Sequence, residues 1–576
     1  MPERQPFLSR RAGGLASIAV GLVVVGPLFA PGFVLTYDMV FVPKPRLSRA
    51  LLGISGAPPR AVPSALLGAL LSRAVTGQVL EKLVLFAIFA GSAYGASRLV
   101  PAERRAARVA AGLLYAWNPF TYERLLLGHW ALLVGYAALP WVAGAALAHR
   151  RSEPGASARL VLALAGAVAG GPYTGMLGGL LALSMAMCPP WTERPALGRW
   201  ANLLGLVVLT NLAWLVPAAL GPAVPGRPLL AEALFRARSD SPLGTVGSLL
   251  SLGGLWRPDL APPGRSGFTW LPAFLIVAAL TVAGWAVLGR RWSRGARAGL
   301  LVAAGLGLLL AAAPSAPGLG AAARWVARLP GGGFLRDSQK FVMPLALAGS
   351  VGFGLGVERL LGAIPSAGPS RRRMAAAVAL LPVALAPTLA WGASGRLFTS
   401  RYPASWSTAE RIVATDPEPG GILVLPWHAF LPFRWNRDRA VHQPALQYFS
   451  RPALASSALE VGSYRLPDED PWAALARPVV LGRGSLVPNL RKLGVHYVLV
   501  FKEADWRGDL PRLIGLAPVL DTAELRLYRA APSRVPSFPT PPVAPVVAGD
   551  VLTASVLVGA SASLVRKRRR GSTDRP

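Results

Sequence analysis

Cysteine is nearly missing from this chain: Cys188 is the one thiol among 576 residues, so neither an intramolecular disulfide nor a cysteine-based metal site can be built. Any folded external segment must hold together without covalent staples. Charge is scarce too, at 15% of residues against 53% hydrophobic. With a mean hydropathy of +0.44, this balance excludes an ordinary soluble globule and makes lipid the expected solvent. Acidic residues are the rarer sign, 27 against 60 Lys and Arg, which leaves a net charge of +33. A nucleic-acid surface would interleave such cations with aromatic and polar residues along one face. The arginines here instead punctuate apolar runs, and no nucleic-acid partner is expected. The chain also lacks a GxxxxGK[ST] phosphate loop, an HExxH zinc motif and a GxSxG elbow. His428, His442 and His496 have no metal-ligand spacing and read as structural.

What the chain has is apolar length. Stretches long enough, or nearly so, to cross a hydrocarbon core of about 30 Å run over Gly14–Ala30, Val79–Leu99, Ala106–Phe120, Ala131–Leu147, Leu160–Gly170 and Thr174–Met187. Six more follow at Leu203–Leu220, Trp270–Leu288, Ala298–Ala313, Phe341–Leu361, Met374–Trp391 and Val546–Val565. The first has a basic start but no small-residue cleavage site around Pro27, Pro31 and Gly32, so it reads as a retained span. The expected fold class is an α-helical polytopic membrane protein of about twelve helices with a smaller α/β extracytoplasmic domain near the C-terminus. Lys and Arg collect in cytoplasmic loops, and basic clusters occupy every second connection: Arg4, Arg10 and Arg11; Arg104, Arg105 and Arg108; Arg150, Arg151 and Arg159; Arg194 and Arg199; Arg290, Arg291, Arg294 and Arg297; Arg371 to Arg373; and Arg566 to Arg570. Both termini are then cytoplasmic, in an inner (plasma) membrane. The connections Leu35–Gln78, Thr121–Trp130, Gly221–Thr269, Pro314–Lys340 and Gly392–Pro545 face outward.

Residues 1–392 form the multi-pass region on this reading. In its first outer connection, Leu47–Ile54 and Ala65–Val75 carry apolar residues at helical spacing near Arg49, Arg60 and Arg73, as interfacial helices do. Residues 393–531 form the α/β domain, with β-type runs at Ile422–Leu425, Tyr497–Phe501 and Leu525–Tyr528 and a helix ending at Asn489–Leu493. Residues 532–545 are a proline-rich tether, 546–565 the final span and 566–576 a basic tail.

Ionisable residues at a membrane boundary are costly to hold against lipid and are default site candidates. Tyr37-Asp38-Met39 emerges just after the first span, with Lys44 and Arg46 downstream; Asp38 is either a catalytic base or a helix-end cap. Asn118 to Arg124 followed by Gly128-His129-Trp130 is a short polar connection on the same side. Its bland reading is a helix start at Pro119, an aromatic belt from Tyr122 and Trp130, and Glu123 paired with Arg124 or a neighbour. In Gly331 to Phe341, glycines bring Arg336, Asp337 and Lys340 to the mouth of a span. These cations either clamp an anionic headgroup or snorkel, with Asp337 as counter-ion.

The first span, the long outer loop with its early Asp, the paired interface segments and the second span resemble the C-type (GT-C) membrane glycosyltransferases. Leu114-Tyr115-Ala116-Trp117-Asn118-Pro119-Phe120, Glu123-Arg124, the Phe334-Leu335-Arg336 to Lys340-Phe341 run and Leu493 to Val500 look like a group of large bacterial and archaeal membrane proteins related to cell-wall arabinofuranosyltransferases. The resemblance implies sugar transfer on the outer face from a polyprenyl-phosphate donor, with an acidic residue of the first outer loop as base, a position that Asp38 matches. It implies membrane lipid, a polyprenyl-phosphate-linked sugar and a glycan or lipid acceptor as partners. This chain departs from the family pattern in having no clear second acidic residue beside Asp38, so a divalent metal is left open without support and no other cofactor is expected. A hydroxyl acceptor needs a base and a phosphate leaving group needs only charge stabilisation, whereas hydrolysis of a glycoside would need two facing carboxyl groups. The resulting set is Asp38 as base, with Arg336, Lys340, Asp337, Glu123, Arg124, His129 and Lys44 around substrate. Two other readings stand beside it: a transporter or flippase of lipid-linked precursors, which would use the same cations without Asp38 as a base, and a noncatalytic envelope-assembly protein, in which the polar clusters need not converge.

Overall fold

The structure is a computed structural model and describes residues 7–189, 197–222, 227–288, 292–329, 332–364, 369–503 and 505–573. Arg4, Arg194, Arg290, Arg291, Gly331 and residues 574–576, on which part of the reading above rests, lie outside the described residues.

Each apolar run is helical over most of its length. The chain opens with α1 (Phe7–Val25), α2 (Ser64–Ala74), α3 (Gly77–Leu99), α4 (Arg105–Ala116), α5 (Pro119–Leu126), α6 (Trp130–Arg150), α7 (Ala156–Val168) and α8 (Pro172–Met187). Six helices among the described residues are long and apolar enough to cross a membrane: Gly77–Leu99, Trp130–Arg150, Leu197–Leu220, Arg294–Ser315, Ser338–Gly362 and Val543–Lys567. A seventh crossing exists if Pro369–Leu385 and Pro387–Ser394, which meet at 80°, count as one bent span. The expected count of about twelve is not confirmed, and the shortfall has local causes. Asn118-Pro119 divides the run Ala106–Phe120 into α4 and α5, because proline cannot donate to the helix it would continue. α7 has 13 residues and α8 has 16, short of the roughly 20 that span a bilayer unaided. Of the two expected interface helices, the second is α2, whereas Leu47–Ile54 contains a single 3-10 turn at Arg49–Leu52.

Small residues let helices cross closely where lipid supplies no hydrophobic drive. A Cβ on Gly356 would stand 1.9 Å from the Leu280 carbonyl, and one on Gly284 1.9 Å from that of Gly352. Helix Met343–Gly362 therefore packs backbone to backbone on Leu271–Leu288.

Among the described residues the C-terminal domain has nine strands: β1 (Gly421–Leu425), β2 (Phe430–Phe433), β3 (Arg439–His442), β4 (Ala453–Leu454), β5 (Leu459–Val461), β6 (Tyr464–Leu466), β7 (Val495–Phe501), β8 (Pro518–Asp521) and β9 (Leu525–Arg529). The main sheet runs β4-β1-β7-β9-β8, with β4, β1 and β7 parallel and β9 antiparallel to both neighbours. All residues of β1 and β7 are buried, as expected of parallel strands covered on both faces. Ile422, Val424, Tyr497, Leu499 and Phe501 join the apolar core of the helical bundle. Leu423, Leu425, Val498 and Val500 face a separate core with Trp472 and Leu490. One core thus runs from the bundle into the domain. Residues 532–542 of the proline-rich segment carry neither helix nor strand, and its Val535 and Phe538 pack on the domain.

The five connections expected to share a side do meet one another, as the contacts below show. Which side that is rests on the arginine alternation. In a chain freed of Cys188, cysteines at exposed Ser266 and Ser407 are expected to react with an impermeant thiol reagent added from outside, and one at Ser152 is not. The opposite pattern would invert the orientation.

Candidate active site

Asp38 stands at the apex of a tight turn. The Met39 N–H donates to the Thr36 carbonyl at 2.8 Å and the Thr36 N–H to that of Met39 at 3.3 Å, while Tyr37 takes a φ of 40°. Three elements hold the apex. The Tyr37 N–H donates to the Ala440 carbonyl and the His442 N–H to that of Tyr37, both at 2.8 Å, so the turn adds to β3 of the C-terminal domain. The Asp38 N–H donates to the Leu127 carbonyl at 3.2 Å. From α3, buried Glu81 accepts the Val34 N–H at 2.9 Å and Lys82 donates to the Gly32 carbonyl at 3.0 Å. These contacts fix where the carboxylate points, and 45% of the side chain stays open to solvent.

The Asp38 carboxylate meets His129 Nε2 at 3.0 Å, and His129 Nδ1 meets Arg124 Nη1 at 3.1 Å. A guanidinium can only donate, so Nδ1 accepts and Nε2 carries the proton that it gives to Asp38. Burial drives the His129 pKa below its ordinary value despite Asp38, with Lys340 and Arg124 adding to the effect, which matches this neutral tautomer. Partial desolvation alone would raise Asp38, but the hydrogen bond and electrostatic pull of His129, then His442 and Lys340, outweigh it and hold the carboxyl below its usual range.

Gly128 makes this approach possible. It has φ +81°, and a Cβ there would lie 2.3 Å from both the Met39 nitrogen and the Thr36 oxygen. Gly128→Ala is expected to push the Asp38 turn off His129, costing at least about 1–3 kcal/mol through strain and overpacking and lowering activity out of proportion to stability. A melting curve and a turnover assay on the same preparation check it.

Behind His129 lies a fully buried polar core. Asn118 caps α5 by accepting the Thr121 N–H at 3.1 Å, which sets Glu123 and Arg124 on one short helix. Arg124 is bidentate on Asp337, at 2.6 and 2.8 Å, and donates to Gln339 at 2.6 Å. Gln339 in turn donates to Glu123. Asp337 takes a left-handed φ of 59°; burial opposes its charge, but Arg124 and Lys340 hold its carboxyl far below the ordinary value. Lys340 lies 3.0 Å from Asp337 and 4.3 Å over the Tyr173 ring. Burial and the neighbouring charge of Asp240 push the Glu123 pKa well above its ordinary value. Asp240 keeps its charge, paired at 2.9 Å with Arg265.

The structure thus joins Asp38, His129, Arg124, Asp337, Lys340 and Glu123 in one network. Arg336 sits at its edge, 3.0 Å from Glu469 of the C-terminal domain and stacked on Phe235 at 4.4 Å. Lys44 lies exposed on its loop, outside the network. A cavity of about 530 Å³ opens between residues 239–242 and 258–266, with Asp240 and Arg265 in its wall. His442, read from sequence as structural, pairs through its backbone N–H with the Tyr37 carbonyl at the base of the Asp38 turn. Glu469, Asp240 and Arg265 went unnoticed because nothing local in sequence marks their contacts: Glu469 meets Arg336 across 133 positions. Among the described residues no group of three or more His, Cys, Asp or Glu could hold a metal.

Fold and site together define a polytopic membrane protein whose first-connection carboxylate is shared between a helical bundle and a C-terminal α/β domain. No protein-family model matches the chain, and no curated protein matches it in sequence. Among solved structures, the fold is similar to that of the arabinofuranosyltransferase AftD from Mycobacteria, at a TM-score of 0.59 and 19% identity over 91% of this chain and 40% of that one. Two structures of a point variant of AftD give TM-scores of 0.57 and 0.53, each at 18% identity. The chain therefore spans about two fifths of the protein it resembles, and the likeness is one of fold.

Proposed function

We propose that this chain is a glycosyltransferase of the plasma membrane, moving a sugar from a polyprenyl-phosphate donor to a cell-envelope glycan or lipid acceptor on the outer face. The observation that carries the reading is Asp38 itself: a charged carboxylate, solvent-accessible, oriented by His129 and locked by three elements, in a fold shared with an arabinofuranosyltransferase. In the reaction the acceptor oxygen bonds to the sugar's anomeric carbon. The bond from that carbon to the donor phosphate breaks, its electron pair leaves with the phosphate, and Asp38 takes the acceptor's proton. A carboxylate held this low is a weak base, so it takes the proton late, once the new bond has acidified the hydroxyl. Lys340 and Arg336 are the cations proposed for the phosphate, at the cost of loosening their ties to Asp337 and Glu469.

Vesicles bearing the protein, given a labelled polyprenyl-phosphate sugar and acceptor extract, are expected to form a labelled glycan. Movement of intact labelled lipid between leaflets without cleavage would favour a flippase instead. Lys340→Ala is expected to lower donor use roughly 10- to 100-fold, the worth of one charged hydrogen bond, with insertion unchanged; unaltered donor use would move the phosphate elsewhere.

A further inference from the structure

The cations of the network already have carboxylate partners: Arg124 and Lys340 have Asp337, Arg265 has Asp240 and Arg336 has Glu469. Just outside it the pattern changes. Arg437 and Arg439 both stack on Phe398, with guanidinium carbons 4.3 and 4.7 Å from the ring centroid. Arg439 reaches Thr36 Oγ1 at 3.5 Å, two residues before Asp38. Arg396, two residues before Phe398, donates to the Tyr122 hydroxyl at 3.1 Å and to the Asp259 carbonyl at 3.3 Å. Among the described residues none of these three arginines makes an ion pair with a carboxylate. The nearby Asp259 carboxylate is taken by Arg257, at 2.6 and 3.1 Å. Burial and the like charges of Arg396 and Arg437 pull the Arg439 pKa down despite Tyr37.

Depth in the membrane narrows the partner. Arg396 follows the bent span directly, after a left-handed turn in which Trp391 is 60% exposed, and Phe29 at the foot of the first connection is 43% exposed. Exposed aromatics at the end of a span mark the headgroup level. An uncompensated set of guanidinium forks at that level matches a phosphate, which they can bind bidentately.

We propose that Arg396, Arg437 and Arg439, arrayed about Phe398 beside the Asp38 turn, form an anion-binding lip that takes the phosphate of a membrane-borne lipid. The assignment rests on the glycosyltransferase reading only for its purpose; as a binding site it stands alone. A phosphate held there lies on the membrane side of Asp38, where a lipid-linked substrate enters.

The test uses the full chain in nanodiscs of zwitterionic lipid, with farnesyl phosphate, farnesol and phosphatidylglycerol as probes. Arg437→Asn with Arg439→Gln keeps a residue tolerant of the left-handed φ of 51° at position 437. This double variant is expected to lose about a hundredfold in farnesyl phosphate affinity, tenfold per charged hydrogen bond, with its melting point and farnesol binding unchanged. Unaltered farnesyl phosphate affinity, or an equal loss for farnesol, overturns the lip. Displacement of farnesyl phosphate by an equal concentration of phosphatidylglycerol assigns the site to bulk headgroups, and failure to displace assigns it to prenyl phosphates; either upholds an anion site. Sugar transfer is read in the same discs. Lost binding in the variant with no transfer by the unaltered protein keeps the lip and removes the glycosyltransferase, whereas intact binding and transfer in the variant do the reverse.

Discussion

Asp38→Asn is expected to lower sugar transfer by about 10²- to 10⁴-fold, the range that a positioned general base supplies, while donor capture stays unchanged. The amide oxygen can still accept the His129 Nε2–H that now meets the carboxylate at 3.0 Å, and the backbone contacts of the turn do not involve the side chain. What is lost is the ability to take a proton. Vesicle assays that follow donor capture and transfer of a labelled sugar separate the two steps. A flippase or scaffold would tolerate the change, and full transfer activity in the variant would remove Asp38 as the base. The pH profile adds a finer reading. Because the folded pKa of Asp38 lies below its ordinary value, its contribution to stability is present above the unfolded pKa and is lost as pH falls through the folded one. The acidic limb of activity should therefore fall below the usual aspartate range. In His129→Phe the hydrogen bond that lowers this pKa is gone and burial remains, so the limb should move to higher pH. A limb that stays in place would show that His129 does not set the state of Asp38.

The second large effect concerns stability. Arg124→Met removes the guanidinium from a site with no solvent exposure and leaves Asp337 with Lys340 alone. Breaking a buried pair from one side costs about 3–5 kcal/mol, to be seen as a lowered melting temperature in detergent. Adding Asp337→Asn, which suits the left-handed backbone at 337, should recover part of the loss because no uncompensated charge then stays buried. Activity should not recover, since His129 Nδ1 lacks its donor in both variants. A double variant no more stable than the single one would mean that the pair is not the structural centre proposed for it.

Much of the membrane architecture was legible because apolar length and arginine spacing are local signals. The three strands read from sequence are β1, β7 and β9, adjacent in the sheet: β1 and β7 are continuous apolar runs, as buried parallel strands are, and β9 alternates Leu525 and Leu527 with Arg526. Edge strand β4 has two residues, and the hairpin strands β2 and β3 carry Pro432 and Arg439, so none of these shows that pattern. The span count is not confirmed, in part because proline cuts an apolar run that composition alone treats as one. At the site, Asp38, Arg124, His129, Asp337 and Lys340 were each noticed as polar groups at a membrane boundary. Composition could not show that Arg124 and Asp337 face each other across a buried interface, nor that Glu123 points away toward Asp240. The arginines at 396, 437 and 439, which make no ion pair with a carboxylate among the described residues, looked like any others, because a missing counter-ion is visible only in three dimensions.

The strapping of the Asp38 turn to β3 has a consequence for biosynthesis. Tyr37 pairs with strand residues near position 441, and a ribosome adding roughly 5–20 residues per second needs on the order of 20–80 s to make the chain between them. For that interval the first connection has left the ribosome without the strand that completes it, and its free backbone groups and carboxylate lie at a membrane surface. Until the domain arrives, α5 and the Glu81–Lys82 step of α3 are the supports already synthesised. The Asp38 turn thus gains the backbone partners of Tyr37 only when the late-made domain closes onto the earliest loop.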